Sequence, residues 1–332
     1  MTGRILNETE LIQTYLAPLA AGYAGAFELQ DDAALIAGEP GSDLVVSTDP
    51  VIAGVHFFAT DPAGDIAWKA LAANVSDLAA KGAAPLAYTM ALAFPEAPER
   101  SWMAAFAGGL KEAQAAFGCH LIGGDTDRTT GPLSISITAF GRVPKGQMVR
   151  RGTAGLGDHV FVTGTLGDAA LGLEIHRDPS RFPSHLPARD LRFLVGRYLR
   201  PSPRVEMAAV LRGFASAALD VSDGLVKDAG RLAALAGARA EFQLSLLPLS
   251  APARQLIAKD GGHMTAVLGG GDDYEILFSV PEARIADFQK ALKSVRIPIA
   301  EIGVIVAGQG VAVLNERGQP VEVGAGGYDH FK

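Results

Sequence analysis

A single cysteine, Cys119, stands in a chain of 332 residues. One thiol makes no intramolecular disulfide and no cysteine-based zinc site. Its neighbours Phe117 and Leu121-Ile122 point to a buried structural thiol and away from a nucleophile. Long apolar runs are lacking as well. The longest, Ala83 to Phe94, is too short to span a bilayer and contains Pro85. No secretory h-region follows Met1-Thr2-Gly3-Arg4, so a cytoplasmic location is expected and no membrane partner. There is no basic run and the net charge is −7, so nucleic acid is not an expected partner. Familiar phosphate-binding signatures are also missing. The chain has no G-x-x-x-x-G-K-[S/T] loop and no protein-kinase catalytic loop, and Gly164-Thr165-Leu166-Gly167 is not a dinucleotide fingerprint. Nucleotide chemistry, if present, needs a less common fold.

The composition is that of a soluble globular protein, with 48% hydrophobic and 20% charged residues and length enough for two domains. The 39 glycines exceed the usual share of about 7%. Many fall beside acids. Five motifs stand out: Asp31-Asp32, Ser47-Thr48-Asp49, Ser76-Asp77, Gly123-Gly124-Asp125 and Asp220-Val221-Ser222-Asp223-Gly224. Acids gathered in one site raise each other's pKa unless cations fill it. A pocket of oxygen ligands suits Mg²⁺, and Mg²⁺ suits nucleotide phosphates.

Along the chain, Asn7 and Glu10 resemble a capping box, with Leu11, Tyr15 and Leu19 at helical spacing. Leu44 to Ser47 reads as a strand. Asp65 is placed to cap a helix running to about Lys81, on which Ala70, Asn74 and Asp77 share one face. A buried strand is predicted over Pro85 to Phe94, a helix over Ser101 to Phe117, and a half-buried strand where Leu133, Ile135 and Ile137 alternate with Ser134, Ser136 and Thr138. Gly123 to Arg128 reads as a loop. Val143 to Asp158 has little periodicity, which puts a domain boundary there, with domains 1–148 and 149–332. The second half opens on a strand, His159 to Thr163. Asp220 to Gly224 precedes a helix ending near Gly237, and Gly269 to Asp273 interrupts a strand-like run from Thr265 to Val280. The order of elements predicts an α+β (mixed α/β) fold and not a doubly wound sheet.

Each motif has a plain reading beside the chemical one. Asp31-Asp32 alone is a solvated turn. Asp49 at a strand end serves turn amides equally well. Gly123-Gly124-Asp125 is a turn as often as a site, Ser222 and Asp223 suit a helix N-cap, and His56 suits a structural role. Asp77 is harder to dismiss, because an unpaired carboxylate amid alanines and leucines is costly.

Taken together, the motifs resemble the thiamine-monophosphate kinase family. The likeness covers Ser47-Thr48-Asp49, Gly54-Val55-His56-Phe57, Lys69 to Ala79, Leu121 to Thr126, Arg151 with Gly157-Asp158, and Val162 to Thr165. It goes on through Leu199 to Arg204, Asp220 to Gly224, Gly270 to Glu275, and Gly327-Tyr328-Asp329-His330-Phe331. This family is similar to the aminoimidazole-ribonucleotide synthetase superfamily. The resemblance implies two domains, an N-terminal one that pairs in a homodimer and a C-terminal α+β one. It implies ATP and thiamine monophosphate as substrates and several Mg²⁺ ions. It assigns Asp31, Asp32, Ser47, Thr48, Asp49, Asp77, Asp125, Asp220 and Asp223 to metal, and Gly124, Asp125, Arg151 and Ser222 to ATP. It assigns His56, Asp272 and Tyr328 to the thiamine substrate, and gives Asp77, Asp125 and Arg151 catalytic roles. Three departures stand out: Gln30 in place of glycine, Asp272 where glutamate is common, and Lys81 where methionine is usual. The competing readings are another ATP-using member of the superfamily and a non-catalytic metal- or nucleotide-binding module. A selenophosphate synthetase would want a reactive residue near the N-terminus, and the hydrogenase-maturation relative a C-terminal cysteine; neither is present.

Overall fold

The structure, a computed structural model, describes residues 8–30, 33–181 and 186–321. The chain divides into two compact units, Met1–Leu78 with Ala83–Gly146, and Ala79–Gly82 with Gln147–Lys332.

In the first unit, α1 (Glu8–Leu11) passes into a wider turn at Ile12–Leu16 and a tighter one at Ala17–Ala20. The regular amphipathic helix expected here is therefore broken. Pro18 lacks the N–H that a continuing helix needs. Leu11, Leu16 and Leu19 still bury their side chains. The sheet has β1 (Ser42–Ile52), β2 (Ala84–Phe94), β3 (His120–Arg128) and β4 (Ser134–Pro144) in the order β1-β4-β2-β3. Only the β2–β3 pair is parallel. The alternation predicted for β4 holds, with Ile135, Ile137 and Ala139 buried. Between strands run α2 (Ala63–Ala80) and α3 (Arg100–Phe117). α3 buries Met103, Phe106, Leu110, Ala113 and Phe117, a stripe at helical spacing, and stops where Gly118 takes φ +73°.

One expectation is corrected here. Gly123 to Arg128 is strand and not loop, paired in register with Thr89 to Phe94 of β2. Its glycines serve close approach: a Cβ on Gly124 would sit 1.9 Å from the Met90 carbonyl oxygen. Turn-forming composition yields to strand pairing, which local propensity does not encode.

The second unit holds β5 (His159–Thr163), β6 (Ala217–Val221), β7 (Arg239–Gln243), β8 (Glu275–Val280), β9 (Ile299–Val306) and β10 (Gly310–Leu314). They form one sheet in the order β10-β7-β9-β5-β8-β6, antiparallel except for β10–β7. Its helices are α4 (Asp168–Arg177), α5 (Ala188–Leu199), α6 (Ala208–Phe214), α7 (Leu225–Ala236), α8 (Ala251–Lys259), α9 (His263–Gly269) and α10 (Ile285–Ala291). Successive residues of β5 enter different cores. Val160 and Val162 pack with Leu171, Leu225 and Leu232, while Phe161 packs with Leu211, Phe278 and Phe288. Strands covered on both faces read as near-continuous apolar runs, as β6 does but for Asp220 and β8 but for Glu275 and Ser279. The run from Thr265 to Val280 is in fact α9, a glycine turn, and then β8. A short apolar run does not distinguish helix from strand by periodicity alone.

Candidate functional site

In the first unit the site grows from β1 and α2. Strand alternation buries Val45 and Val51 on one face, and Ser47 and Asp49 share their parity. The Ser47 hydroxyl donates to the Asp77 carboxylate. Asn74, one turn earlier on α2 and fully buried, clasps Asp49 from both sides. Its Oδ1 accepts the Asp49 N–H at 2.9 Å, and its Nδ2 donates to the Asp49 carbonyl at 3.4 Å and to the Ala70 carbonyl at 3.1 Å. Asn74 thus fixes the strand that presents Ser47 and Asp49. It was absent from the expected site set, although its helical face and its apolar surroundings signalled it.

Thr48 points the other way. Its Oγ1 donates to the Ile137 carbonyl at 3.0 Å and lies 2.9 Å from Thr138 Oγ1. Asp125 pairs across the sheet with Ala91, then Ser136, then Pro50, which places it on the Thr48 side. The structure therefore brings Ser47 to Asp77 and keeps the side chains of Thr48 and Asp125 on the opposite face. Gly124 and Asp125 line a cavity of about 180 Å³ whose walls include Ile12, Leu16, Leu29 and Met90. The Asp125 carboxylate accepts the Thr126 N–H at 2.8 Å. His56 closes its own turn, its Nδ1 accepting the Ile52 N–H at 3.0 Å.

Expected ligands Asp31 and Asp32 and substrate residue Tyr328 lie outside the described residues. Among the described residues, no three of His, Cys, Asp or Glu stand close enough to hold a metal by themselves. Yet Asp77 and Asp125 pair with no lysine, arginine or histidine there. Hydroxyl and carboxylate oxygens without a neighbouring cation are the donor set of a hard divalent ion, so these residues fit Mg²⁺.

In the second unit, β6 delivers Asp220, 7% exposed, and the Ser222-Asp223-Gly224 turn ahead of α7. Ser222 and Asp223 do not cap α7 with their side chains. Instead their N–H groups donate to the Asp228 carboxylate, at 3.1 and 2.9 Å. Burial pushes the Asp228 carboxyl up to about 6, against the pull of those amides and Arg231. Arg231 lies 2.8 Å from Asp228 and 2.6 Å from Asp223, and Lys227 lies 3.2 Å from Asp223. Asp223 thus carries protein cations, a poorer fit to metal than Asp77. Arg151 is exposed in a turn.

The Asp272 N–H donates to the Ser222 carbonyl at 2.9 Å, which brings the expected substrate residue to the expected ATP contact. Beneath lies a buried charged group that the motif reading missed. Glu275 is wholly buried and accepts from Thr163 Oγ1 and Arg204 Nε, each at 2.7 Å, and from Arg197 at 2.8 Å. Its signal was an acid opening an apolar strand, which only a paired charge satisfies. Cys119 is buried, and burial pushes its thiol up to about 12, so it stays protonated and inert.

Residues 30–143 match the AIR synthase related protein N-terminal domain, and residues 155–315 the C-terminal domain. The thiamine-monophosphate kinase of Escherichia coli is 39% identical over 302 residues, 91% of this chain and 90% of its own length. The solved thiamine-monophosphate kinase of Stenotrophomonas maltophilia matches with a TM-score of 0.79 at 42% identity, over 88% of this chain and 90% of that one. AaThiL complexed with AMPPCP and TMP matches with a TM-score of 0.77 at 33% identity, over 100% of both chains. With both domain types and this identity over nine-tenths of its length, the chain belongs to the thiamine-monophosphate kinase family.

Proposed function

We propose that this chain is a cytoplasmic enzyme that transfers the γ-phosphoryl group of ATP to thiamine monophosphate, giving thiamine diphosphate and ADP. The observation that carries the reading is a relative of full coverage that binds AMPPCP and TMP together. The uncompensated acids of the first unit support it. A terminal oxygen of thiamine monophosphate is already anionic near neutral pH, so attack on the γ-phosphorus needs no strong general base. The barrier is the approach of one anion to another. In the first unit Ser47, Asp49 and Asp77 would hold Mg²⁺, which when bound supplies positive charge against the phosphates. Asp31, Asp32 and, from the opposite face of β1, Thr48 are further expected ligands of that unit, and Asp220 and Asp223 are those of the second unit. Gly124 offers backbone that a nucleotide can approach closely, and Asp125 edges the same cavity. Arg151 would add fixed positive charge, and His56, Asp272 and Tyr328 would seat the thiamine group. A homodimer through the N-terminal domain, as the resemblance implies, suits the exposed Leu44 and Val46 on β1.

ADP release by the purified chain with ATP and Mg²⁺ tests the reading. Release is expected on addition of thiamine monophosphate and not with aminoimidazole precursors. Release that ignores thiamine monophosphate contradicts it.

A further inference from the structure

We infer that Asp273 is a positioning residue, whose buried carboxylate pegs the Gly269–Tyr274 loop in the shape that sets Asp272 against the Ser222 turn. The substrate readout of this inference rests on the thiamine-monophosphate kinase reading; the backbone readout does not.

The loop is strained on both sides of Asp273. Asp272 has φ +68° and Tyr274 has φ +49°, left-handed values that crowd the Cβ of any residue with a side chain. Aspartate tolerates that region better than glutamate, which gives a physical reason for Asp272 in this chain. These strained residues make the contacts that matter. The Asp272 N–H donates to the Ser222 carbonyl and the Tyr274 N–H to the Val221 carbonyl, both at 2.9 Å. The backbones touch directly. A Cβ on Gly271 would lie 2.2 Å from the Ser222 carbonyl oxygen, and one on Gly224 would lie 2.7 Å from Gly269. No side chain fits between the two segments to hold them together.

Asp273 supplies the hold from the other side. It is 1% exposed. Its Oδ2 accepts the Gly167 N–H at 2.7 Å and its Oδ1 the Ala169 N–H at 3.3 Å, at the start of α4. Those amides have no partner within the helix. Arg197 donates to the Asp273 carbonyl at 3.4 Å and pairs with Glu275, tying the next strand residue into the same anchorage. Left-handed residues persist only where their surroundings over-determine them, and this carboxylate hydrogen-bonds the loop to the start of α4.

The experiment compares Asp273→Ala and Asp273→Asn with the wild type, at a temperature where circular dichroism shows each folded. Asparagine keeps an oxygen acceptor for the shorter bond. The alanine variant is expected to raise the KM for thiamine monophosphate about tenfold while kcat changes by no more than about threefold. It also speeds amide exchange at Asp272 and Tyr274 in the free chain, ahead of the rest of the unit. Asparagine restores both readouts to within about twofold. Wild-type KM and wild-type exchange in the alanine variant overturn the inference, as does exchange that accelerates uniformly across the unit. A wild type inactive on thiamine monophosphate defeats the functional reading alone, and the exchange of Asp272 and Tyr274 still decides the role of Asp273.

Discussion

In the first unit Asp77 meets the Ser47 hydroxyl and Asp125 meets the Thr126 amide, and no protein cation pairs with either among the described residues. In the second unit Asp223 holds Lys227 and Arg231, and Glu275 lies buried between Arg197 and Arg204. The same residue types therefore do different work. Acids left uncompensated at the surface are available to a cation from solution. Acids supplied with arginine brace the backbone that carries other contacts.

The comparison is sharpest at Glu275. Glu275→Ala leaves Arg197 and Arg204 without their shared partner, and it is expected to destabilise the chain by about 3–5 kcal/mol. Urea unfolding checks this, and a loss within error of zero breaks the assignment of a brace. In the first unit, Gly124→Ala forces β2 and β3 apart, at a cost of about 3 kcal/mol. The same unfolding curves give that value. Asn74→Ala strands the Asp49 backbone and is expected to cost about 1–2 kcal/mol. It should lower Mg²⁺ affinity as well, seen as a higher Mg²⁺ requirement in the ADP assay.

A further effect is in pH dependence. Burial, with Asp168 close by, pushes the Asp273 carboxyl up to about 8, against the pull of the Gly167 and Ala169 amides and Arg197. The unfolded chain releases this proton near 4, whereas the folded chain holds it to about 8. Stability from this group is therefore full below about 4 and falls as pH rises toward 8. Asp273→Asn removes that slope, so its melting temperature should gain on the wild type between pH 6 and pH 8. Parallel melting profiles would show that Asp273 is ionised throughout.

Much of this was legible in residue order. The serine–isoleucine alternation of β4 and the apolar stripe of α3 follow from period alone. Asp77 was conspicuous because a carboxylate in an alanine-rich helix demands a reason, and Ser47 is now its partner. Other features needed the fold. Gly123 to Arg128 looked like a loop because nothing local reveals that β2 lies alongside. Thr48 and Ser47 are neighbours in sequence, yet strand alternation sends their hydroxyls to opposite faces. Asp223 read as a helix N-cap, or by resemblance as a metal ligand, because its two cations stand four and eight residues on, along one side of α7. Asp273 sat inside a quoted motif without a role, since its partners are backbone amides about a hundred residues earlier.

The contrast between the units is tested most directly by TMP-dependent ADP release measured across a Mg²⁺ titration for Asp77→Asn and Asp223→Asn. Asp77→Asn is expected to lose about 10²–10³ in kcat with its fold intact. Asp223→Asn should lose less, because Lys227 and Arg231 already neutralise that carboxylate. Near-normal turnover of Asp77→Asn at saturating Mg²⁺, or equal damage from Asp223→Asn, would contradict it.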